Sequence, residues 1–235
     1  MNTKVWGPEA WNFLHGITFS QNKMKNNTTA DWDKWPSKVS NILPCIFCRS
    51  TMKQYIHYFP LKSNGSMENV QKWFFNLHNF VNFKLDHPVD KKWSDVSKHY
   101  KDSFDKEYNQ DNIKKINESS WKFLFFIAHN APPKNSKNIV CSVEKRYIEF
   151  YKTLANIHPL GFLKEYLSEN PLKGKIDRDS LVSWTNGLKK YSGMNTQMNM
   201  THMKQQCKNS RASKIDFMKH DYMVSKNLVK NMLNL

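Results

Sequence analysis

The chain has 235 residues, 39% of them hydrophobic and 14% aromatic. That is too long for a disulfide-stapled miniprotein and apolar enough to bury a core, which excludes general disorder. Seven glycines exclude a collagen-like array, and four cysteines (Cys45, Cys48, Cys141, Cys207) exclude a disulfide scaffold.

The formal net charge is +16, but only four of the 36 basic residues are arginine. Arginine dominates bidentate base and phosphate recognition, so its scarcity argues against a nucleic-acid reader. The abundance of lysine and asparagine is what an AT-rich genome gives; an anionic partner remains the alternative. No apolar run reaches the ~20 residues of a membrane span. The N-terminus lacks the blocks of a signal peptide. The expectation is a soluble, non-secreted protein.

In chain order, residues 1–20 form an amphipathic helix pattern through Trp6, Trp11, Leu14, His15 and Thr18, with Pro8 near its start. A second helical stretch covers 33–43 and stops near Pro44. Cys45-Ile46-Phe47-Cys48 then opens a third, which runs to Tyr58. Residues 68–85 repeat apolar groups at helical spacing through Val70, Trp73, Leu77, Phe80, Val81 and Leu85. Residues 96–115 are polar and charged and read as a linker. Three further helical patterns follow at about 121–129, 143–167 and 180–191. Residues 193–235 read as a flexible tail with a weak terminal helix through Phe217, Val224, Leu228 and Met232. No strand alternation is visible, so the fold class is all-α. Residues 1–95 carry 12 basic and 7 acidic groups; residues 96–235 carry 24 and 13, so most of the excess charge lies in the second part.

The Cys-x-x-Cys of Cys45 and Cys48 is open to structural, metal-binding or redox readings. Zinc normally takes four ligands as two knuckles. No second knuckle exists, and His57 and His78 fit no zinc spacing, so no metal is expected. Two cysteines three apart at a helix start can close and reopen a small disulfide. The helix N-terminus stabilises a thiolate there, favouring a redox dithiol. Around the motif stand Trp6-Gly7-Pro8-x-x-Trp11-x-x-Leu14-His15 and Trp73-x-x-x-Leu77-His78-Asn79-x-Val81-Asn82-x-Lys84-Leu85. Singly, these residues read as core tryptophans, a satisfied histidine and a solvated helix face. Together they set polar groups among large apolar ones at helical spacing, and such groups want a polar partner. A planar heteroaromatic cofactor with hydroxyls and a pyrophosphate would supply one.

In this order, WGxxxWxxLH, PCxxC, LHNxVNxxL and a later tryptophan, the sequence resembles the Erv/ALR family of FAD-dependent sulfhydryl oxidases over about residues 4–95. It is most similar to the forms of large cytoplasmic DNA viruses. The resemblance implies a four/five-helix bundle holding FAD. It implies that Gly7, Trp11, His15, His78, Asn79, Val81, Asn82, Lys84 and Trp93 bind the cofactor, with Trp93 near the adenine. Cys48 would be the thiolate against the isoalloxazine and Cys45 the outer, interchange sulfur. Where the family often has Tyr and Pro after the first helix, this chain has Phe19 and Gln21. The implied activity is disulfide formation in protein substrates, with electrons passing through FAD to dioxygen and giving hydrogen peroxide. The implied setting is virion assembly in host cytoplasm and the virion, with a thioredoxin-like or other dithiol protein as partner. The alternative reading is a non-enzymatic basic scaffold or a nucleic-acid-binding protein.

The second part repeats the apolar scaffold of the first. Trp121-Lys-Phe-Leu-Phe-Phe-Ile127 parallels Trp11-Asn-Phe-Leu-His-Gly-Ile17, and the segments around Pro159 and Tyr166 parallel those around Pro44 and Tyr55. Trp184-x-x-x-Leu188-Lys-Lys parallels Trp73-x-x-x-Leu77-His-Asn. The chemical positions do not recur: Phe125 matches His15, both cysteines are gone, and Lys189-Lys190 match His78-Asn79. The expected division is an oxidase domain over 1–95, a linker over 96–115, a helical domain over 116–192 and a tail. Residues 116–192 read either as a degenerate Erv-like half that binds no FAD or as a generic helical domain. A homodimer or an intramolecular pseudo-dimer is expected accordingly. Cys141 and Cys207 read as free thiols or as a pair with each other.

Overall fold

A computed structural model describes residues 3–21, 28–89, 92–104, 110–133, 141–173 and 176–193, together with Gln205. Every regular element among these residues is an α-helix: α1 (Thr3–Phe19), α2 (Thr29–Ile42), α3 (Ile46–Tyr58), α4 (Met67–Lys84), α5 (Trp93–Phe104), α6 (Gln110–Asn130), α7 (Cys141–Ile157), α8 (Phe162–Glu169) and α9 (Arg178–Tyr191). The all-α expectation therefore holds. No helix among the described residues is long and apolar enough to cross a membrane. The expected terminal helix and Cys207 lie outside the described residues.

Two stretches differ from expectation. The pattern at 143–167 is two helices rather than one, because Pro159 lacks an N–H and disfavours helical geometry at His158. The polar stretch 96–115, expected as a linker, holds most of α5 and the start of α6. Along α5 the burial falls on Ser97, with Val96 and Tyr100 half-buried and Lys98, His99 and Lys101 exposed. So narrow an inward stripe is hard to tell from a polar coil.

One continuous core runs through both parts of the chain. It forms because α1 packs on α6 and α2 on α7. At the centre of these contacts Phe13 stacks on Phe123 with ring centroids 4.7 Å apart. Trp35 stacks on Phe150 at 5.1 Å. When Trp11 is matched with Trp121 and Pro44 with Pro159, Phe13 corresponds to Phe123 and Trp35 to Phe150. Each of these rings thus meets its own counterpart, as self-complementary packing about a two-fold axis requires.

The helix ends also bond across the seam, one bond in each direction. Gln21 Nε2 donates to the Ile157 carbonyl at 2.6 Å, and Asn130 Nδ2 donates to the Pro44 carbonyl at 2.7 Å. Internal contacts recur too. Trp73 Nε1 donates to the Phe59 carbonyl and Trp184 Nε1 to the Asn170 carbonyl, both at 2.7 Å and both across 14 residues. Tyr55 meets Trp73 edge-on at 5.3 Å, and Tyr166 meets Trp184 at 5.1 Å.

Phe13 and Phe123 are fully buried. Truncating a ring in such a site removes its transfer free energy and leaves a cavity. Phe123→Ala is expected to lower stability by ~3–5 kcal/mol, read from the urea midpoint. A loss under about 1 kcal/mol would mean that the interface is not a close-packed core.

Candidate functional site

A cavity of about 670 Å³ opens between α1, α3 and α4. Its walls are mostly apolar, including Trp6, Ala10, Leu14, Leu43, Met52, Leu77 and Val81, with Lys4, Asn12, His78, Asn82, Lys84 and His87 as polar points. This size and lining suit an organic cofactor rather than a metal or a water cluster.

The α1 wall is built by helical spacing. Gly7, Trp11 and Leu14 fall on one stripe, and a Cβ placed at Gly7 would meet nothing within 4 Å. Glycine keeps that side of the cavity open. Trp6 also lines the cavity, and its buried indole N–H has no hydrogen-bond partner in the protein. A buried donor of this kind is costly unless a ligand satisfies it.

From α4, His78 stacks flat on Trp11, with centroids 4.0 Å apart and planes 11° apart. His15 Nε2 and His78 Nδ1 lie 3.1 Å apart, so one imidazole donates to the other. That bond requires an unprotonated nitrogen on one of the two rings. His15 therefore sits behind His78 rather than on the cavity wall. Lys84 Nζ donates to Thr51 Oγ1 at 2.8 Å, tying the end of α4 to α3.

The Cys45–Cys48 pair sits where α2 stops. Pro44 follows the last turn of α2, and Cys45 becomes the N-cap of α3 with extended backbone (φ −107°, ψ 128°). Its Sγ accepts the Cys48 N–H at 3.3 Å. Cys45 is 3% exposed, whereas Cys48 is partly exposed and lines the cavity. Hydrogen bonding from the Cys48 thiol lowers the Cys45 pKa to about 6 against opposing burial, and the Cys48 and Phe47 backbone N–H groups add to the effect. Bonding to Cys45, and then burial, push the Cys48 thiol up. The dithiol thus holds one easily formed thiolate on Cys45 and one retained proton on Cys48.

Of the residues singled out from sequence, Gly7, Trp11, Cys48, His78, Val81, Asn82 and Lys84 line this cavity together. Cys45 and His15 stand directly behind it. Asn79 and Trp93 are not part of its wall. Trp93 packs instead against Phe19 and Phe75, at 6.0 and 5.5 Å, with Lys72 Nζ 5.8 Å from its ring. The aromatic that α5 brings to the cavity is Tyr100, about two turns further along the helix. Its ring stacks on Phe19 at 4.8 Å and lies 5.0 Å from His15. Tyr100 was hidden in sequence by the reading of 96–115 as a linker. Thr51, Lys4 and His87 also reach the cavity, and only their proximity to the motifs could have signalled them.

At the sequence positions that match this cavity, the second part holds little space. A void of only about 10 Å³ is lined by Ser120, Trp121, Leu124, His158, Phe162, Leu163 and Leu188. Their counterparts Ala10, Trp11, Leu14, Leu43, Thr51, Met52 and Leu77 all line the large cavity. Where His78 stacks on Trp11, Lys189 Nζ sits 4.6 Å over Trp121. Phe162 stands where the smaller Thr51 lines the large cavity, and Ser120 Oγ and His158 Nε2 pair at 3.0 Å.

Comparison with known proteins points the same way. The Erv1 / Alr family model matches residues 8–105. An FAD-linked sulfhydryl oxidase of African swine fever virus (isolate Tick/Malawi/Lil 20-1/1983) is 33% identical over 106 residues, covering 42% of this chain and 82% of the viral protein. The enzyme of the Warthog/Namibia/Wart80/1980 isolate is 35% identical over 109 residues with the same coverage. A probable FAD-linked sulfhydryl oxidase of Acanthamoeba polyphaga mimivirus is 28% identical over 88 residues, covering 35% of this chain and 60% of that protein. No solved structure matches. With a cofactor-sized cavity flanked by a Cys-x-x-Cys at a helix start, and with relatives matched over most of their length, the chain belongs to the Erv1 / Alr family of thiol oxidases.

Proposed function

We propose that this thiol oxidase makes disulfides in protein substrates through Cys45 and Cys48, using FAD held in the cavity of α1, α3 and α4 and dioxygen as final acceptor. The observation that carries the reading is Cys48 in the wall of a cavity sized for a cofactor. The residues suit FAD: an apolar slot with the Trp11–His78 platform for a planar ring system, an open side at Gly7, an unsatisfied donor on Trp6, and Lys4, Lys84, Asn82 and His87 for phosphate and ribose oxygens. Tyr100 takes the part that sequence assigned to Trp93. Bound there, FAD supplies a two-electron acceptor whose electrons dioxygen removes, leaving hydrogen peroxide.

The chain's own part is thiol–disulfide exchange. With the pair oxidised, a substrate thiolate attacks Cys45 Sγ. The new bond joins substrate sulfur to Cys45, the Cys45–Cys48 bond breaks, and Cys48 leaves as a thiolate at the cavity wall. A second substrate thiolate then attacks the substrate sulfur and displaces Cys45. The substrate leaves as a disulfide, and the pair is left as dithiol. The depressed pKa of Cys45 makes it a good leaving group in this second step. Cys45 is buried in the dithiol form, so the first attack needs the Pro44–Cys45 turn to open.

Residues 116–192 are proposed to be a degenerate copy of the oxidase unit that binds no FAD. The self-paired rings, the recurrent tryptophan hydrogen bonds and the filled counterpart cavity support this. In this reading the copy occupies the surface that a second subunit would use, giving an intramolecular pseudo-dimer. We place this activity in virion disulfide formation in the host cytoplasm, with a thioredoxin-like dithiol protein as the relay; what supports a viral setting is the likeness to FAD-linked sulfhydryl oxidases of African swine fever virus and mimivirus.

Purified protein is expected to be yellow, with one FAD per chain by absorbance, and to consume oxygen with dithiothreitol. Cys45→Ser and Cys48→Ser should each abolish oxygen uptake while the fold persists. Colourless protein, or activity in either variant, would overturn the reading. Gly7→Val should lower flavin content by filling the open side of the slot; full occupancy would place the cofactor elsewhere. Alkylation of the reduced pair should follow Cys45, remaining fast above about pH 6 and falling as the pH drops through it. A midpoint near 8–9, as in an ordinary thiol, would remove the proposed thiolate.

A further inference from the structure

The Pro44 carbonyl lies between the last turn of α2 and the first of α3, immediately before the redox N-cap. It accepts Nδ2 of Asn130 from the far unit, at 2.7 Å. Asn130 is the last residue of α6, half-buried, and the chain beyond it is held from behind. Arg178 at the start of α9 donates its backbone N–H to the Pro132 carbonyl at 2.8 Å and its Nε to the Ala131 carbonyl at 3.2 Å. A capping box of Asp177 and Ser180 fixes that start of α9. A continuous set of bonds thus runs from α9 through 130–132 to the peptide that carries Cys45.

We infer that Asn130 is a positioning residue for the redox pair: the unit without a cofactor cavity holds the Pro44–Cys45 turn, and thereby the geometry in which Cys45 Sγ accepts the Cys48 N–H. The inference rests on Cys45–Cys48 being the redox pair. Asn130 touches neither sulfur in this arrangement and acts through the Pro44 peptide. With the bond intact, Cys45 keeps its extended N-cap conformation and its burial. Without it the turn is free to rotate, the Cys48 N–H is no longer presented to Sγ, and the Cys45 thiolate loses support. A less stable thiolate favours the disulfide, so the pair becomes harder to reduce. The charges that act on the pair from outside it are those of the N-terminus, while Arg49 on α3, Arg146 on α7 and Arg178 on α9 act on the Tyr147 ring. None of them changes in the substitution.

The test uses the full-length, FAD-loaded protein without oxygen. The fraction of the Cys45–Cys48 pair reduced is measured by mass tagging in dithiothreitol redox buffers, for wild type, Asn130→Leu and Asn130→Gln. Asn130→Leu keeps the branching at Cγ and removes the donor. It is expected to lower the equilibrium constant for reduction about tenfold, a shift of about 30 mV to more negative potential. The pH midpoint of Cys45 alkylation should rise from about 6. Asn130→Gln, which restores a donor, should recover part of both shifts. Asn130→Ala serves as a second truncation if the leucine variant does not fold. Wild-type potential and midpoint in a folded Leu or Ala variant would overturn the inference. Oxidase activity surviving Cys45→Ser would overturn the redox-pair reading itself, a distinguishable failure.

Discussion

The packing of α1 and α2 against α6 and α7 is the constraint on which the remaining geometry depends. Phe13 on Phe123 and Trp35 on Phe150 bury four large rings at one seam, in the range where aromatic pairs add to plain area burial. The seam holds α1 from its outer side. The inner side of α1 then offers Gly7, Trp11 and Leu14 to the cavity at a fixed angle to α4. Without the seam, α1 would have one packed face instead of two, and the flat Trp11–His78 contact would lose its backing. Gln21 shows how the same seam reaches the helix end. It donates to the Ile17 and Ile157 carbonyls, so the chain leaving α1 is tied to both units at once.

The two units share a scaffold and differ in what fills it. Ala10, Leu43 and Leu77 on one side correspond to Ser120, His158 and Leu188 on the other. The exchange of Ala10 and Leu43 for a serine and a histidine lets a buried hydrogen bond form where the first unit keeps space. His158 also exchanges a bond with the Leu160 backbone, so its ring is held on both sides. A buried polar pair with its partners satisfied is stable in place. The void in the second part is closed by its own side chains and would need repacking, not mere opening, to admit a ligand. The exchange of His78 for Lys189 is milder. Each packs on the equivalent tryptophan, one as a flat stack and the other as a cation over the ring face.

Much of the site was legible because its residues lie within helices at regular spacing. Gly7, Trp11, Cys48, His78, Val81, Asn82 and Lys84 are placed by helical periodicity alone once the helices are assigned. Even the recurrence of Trp73 at Trp184 could be seen in the sequence, and the indole bonds across 14 residues repeat it in space. Trp93 and Tyr100 were not separable in this way. Both are aromatics on α5, and which one faces the cavity depends on how α5 is rotated against α1. That rotation is set by the contacts of Phe19, which both rings touch. His15 stands on α1 but not in the cavity wall. Its bond to His78 puts it behind the wall, a matter of side-chain reach that spacing does not encode. Asn130 carried no signal at all, because its partner is a backbone carbonyl 86 residues away.

The dithiol poses a conflict between stabilising a thiolate and exposing it. A thiolate beside backbone N–H groups at a helix start is favoured by the same enclosure that keeps solvent and substrate away. Cys45 takes the first option, with its sulfur under the α3 N-terminus and almost no exposure. Cys48 takes the second, half-open toward the cavity but holding its proton. The two residues between them, Ile46 and Phe47, are the most exposed side of this turn, Ile46 at 69%. Apolar groups left in water at the N-terminus of α3 gain nothing for the fold. The Cys45 sulfur, which we propose exchanges with an incoming thiol, is therefore shielded by a turn whose outer face is apolar and whose inner face is pinned by Asn130. In the proposed exchange, access to Cys45 then rests on the freedom of one peptide, between Pro44 and Cys45, while the helix start sets the state of the sulfur.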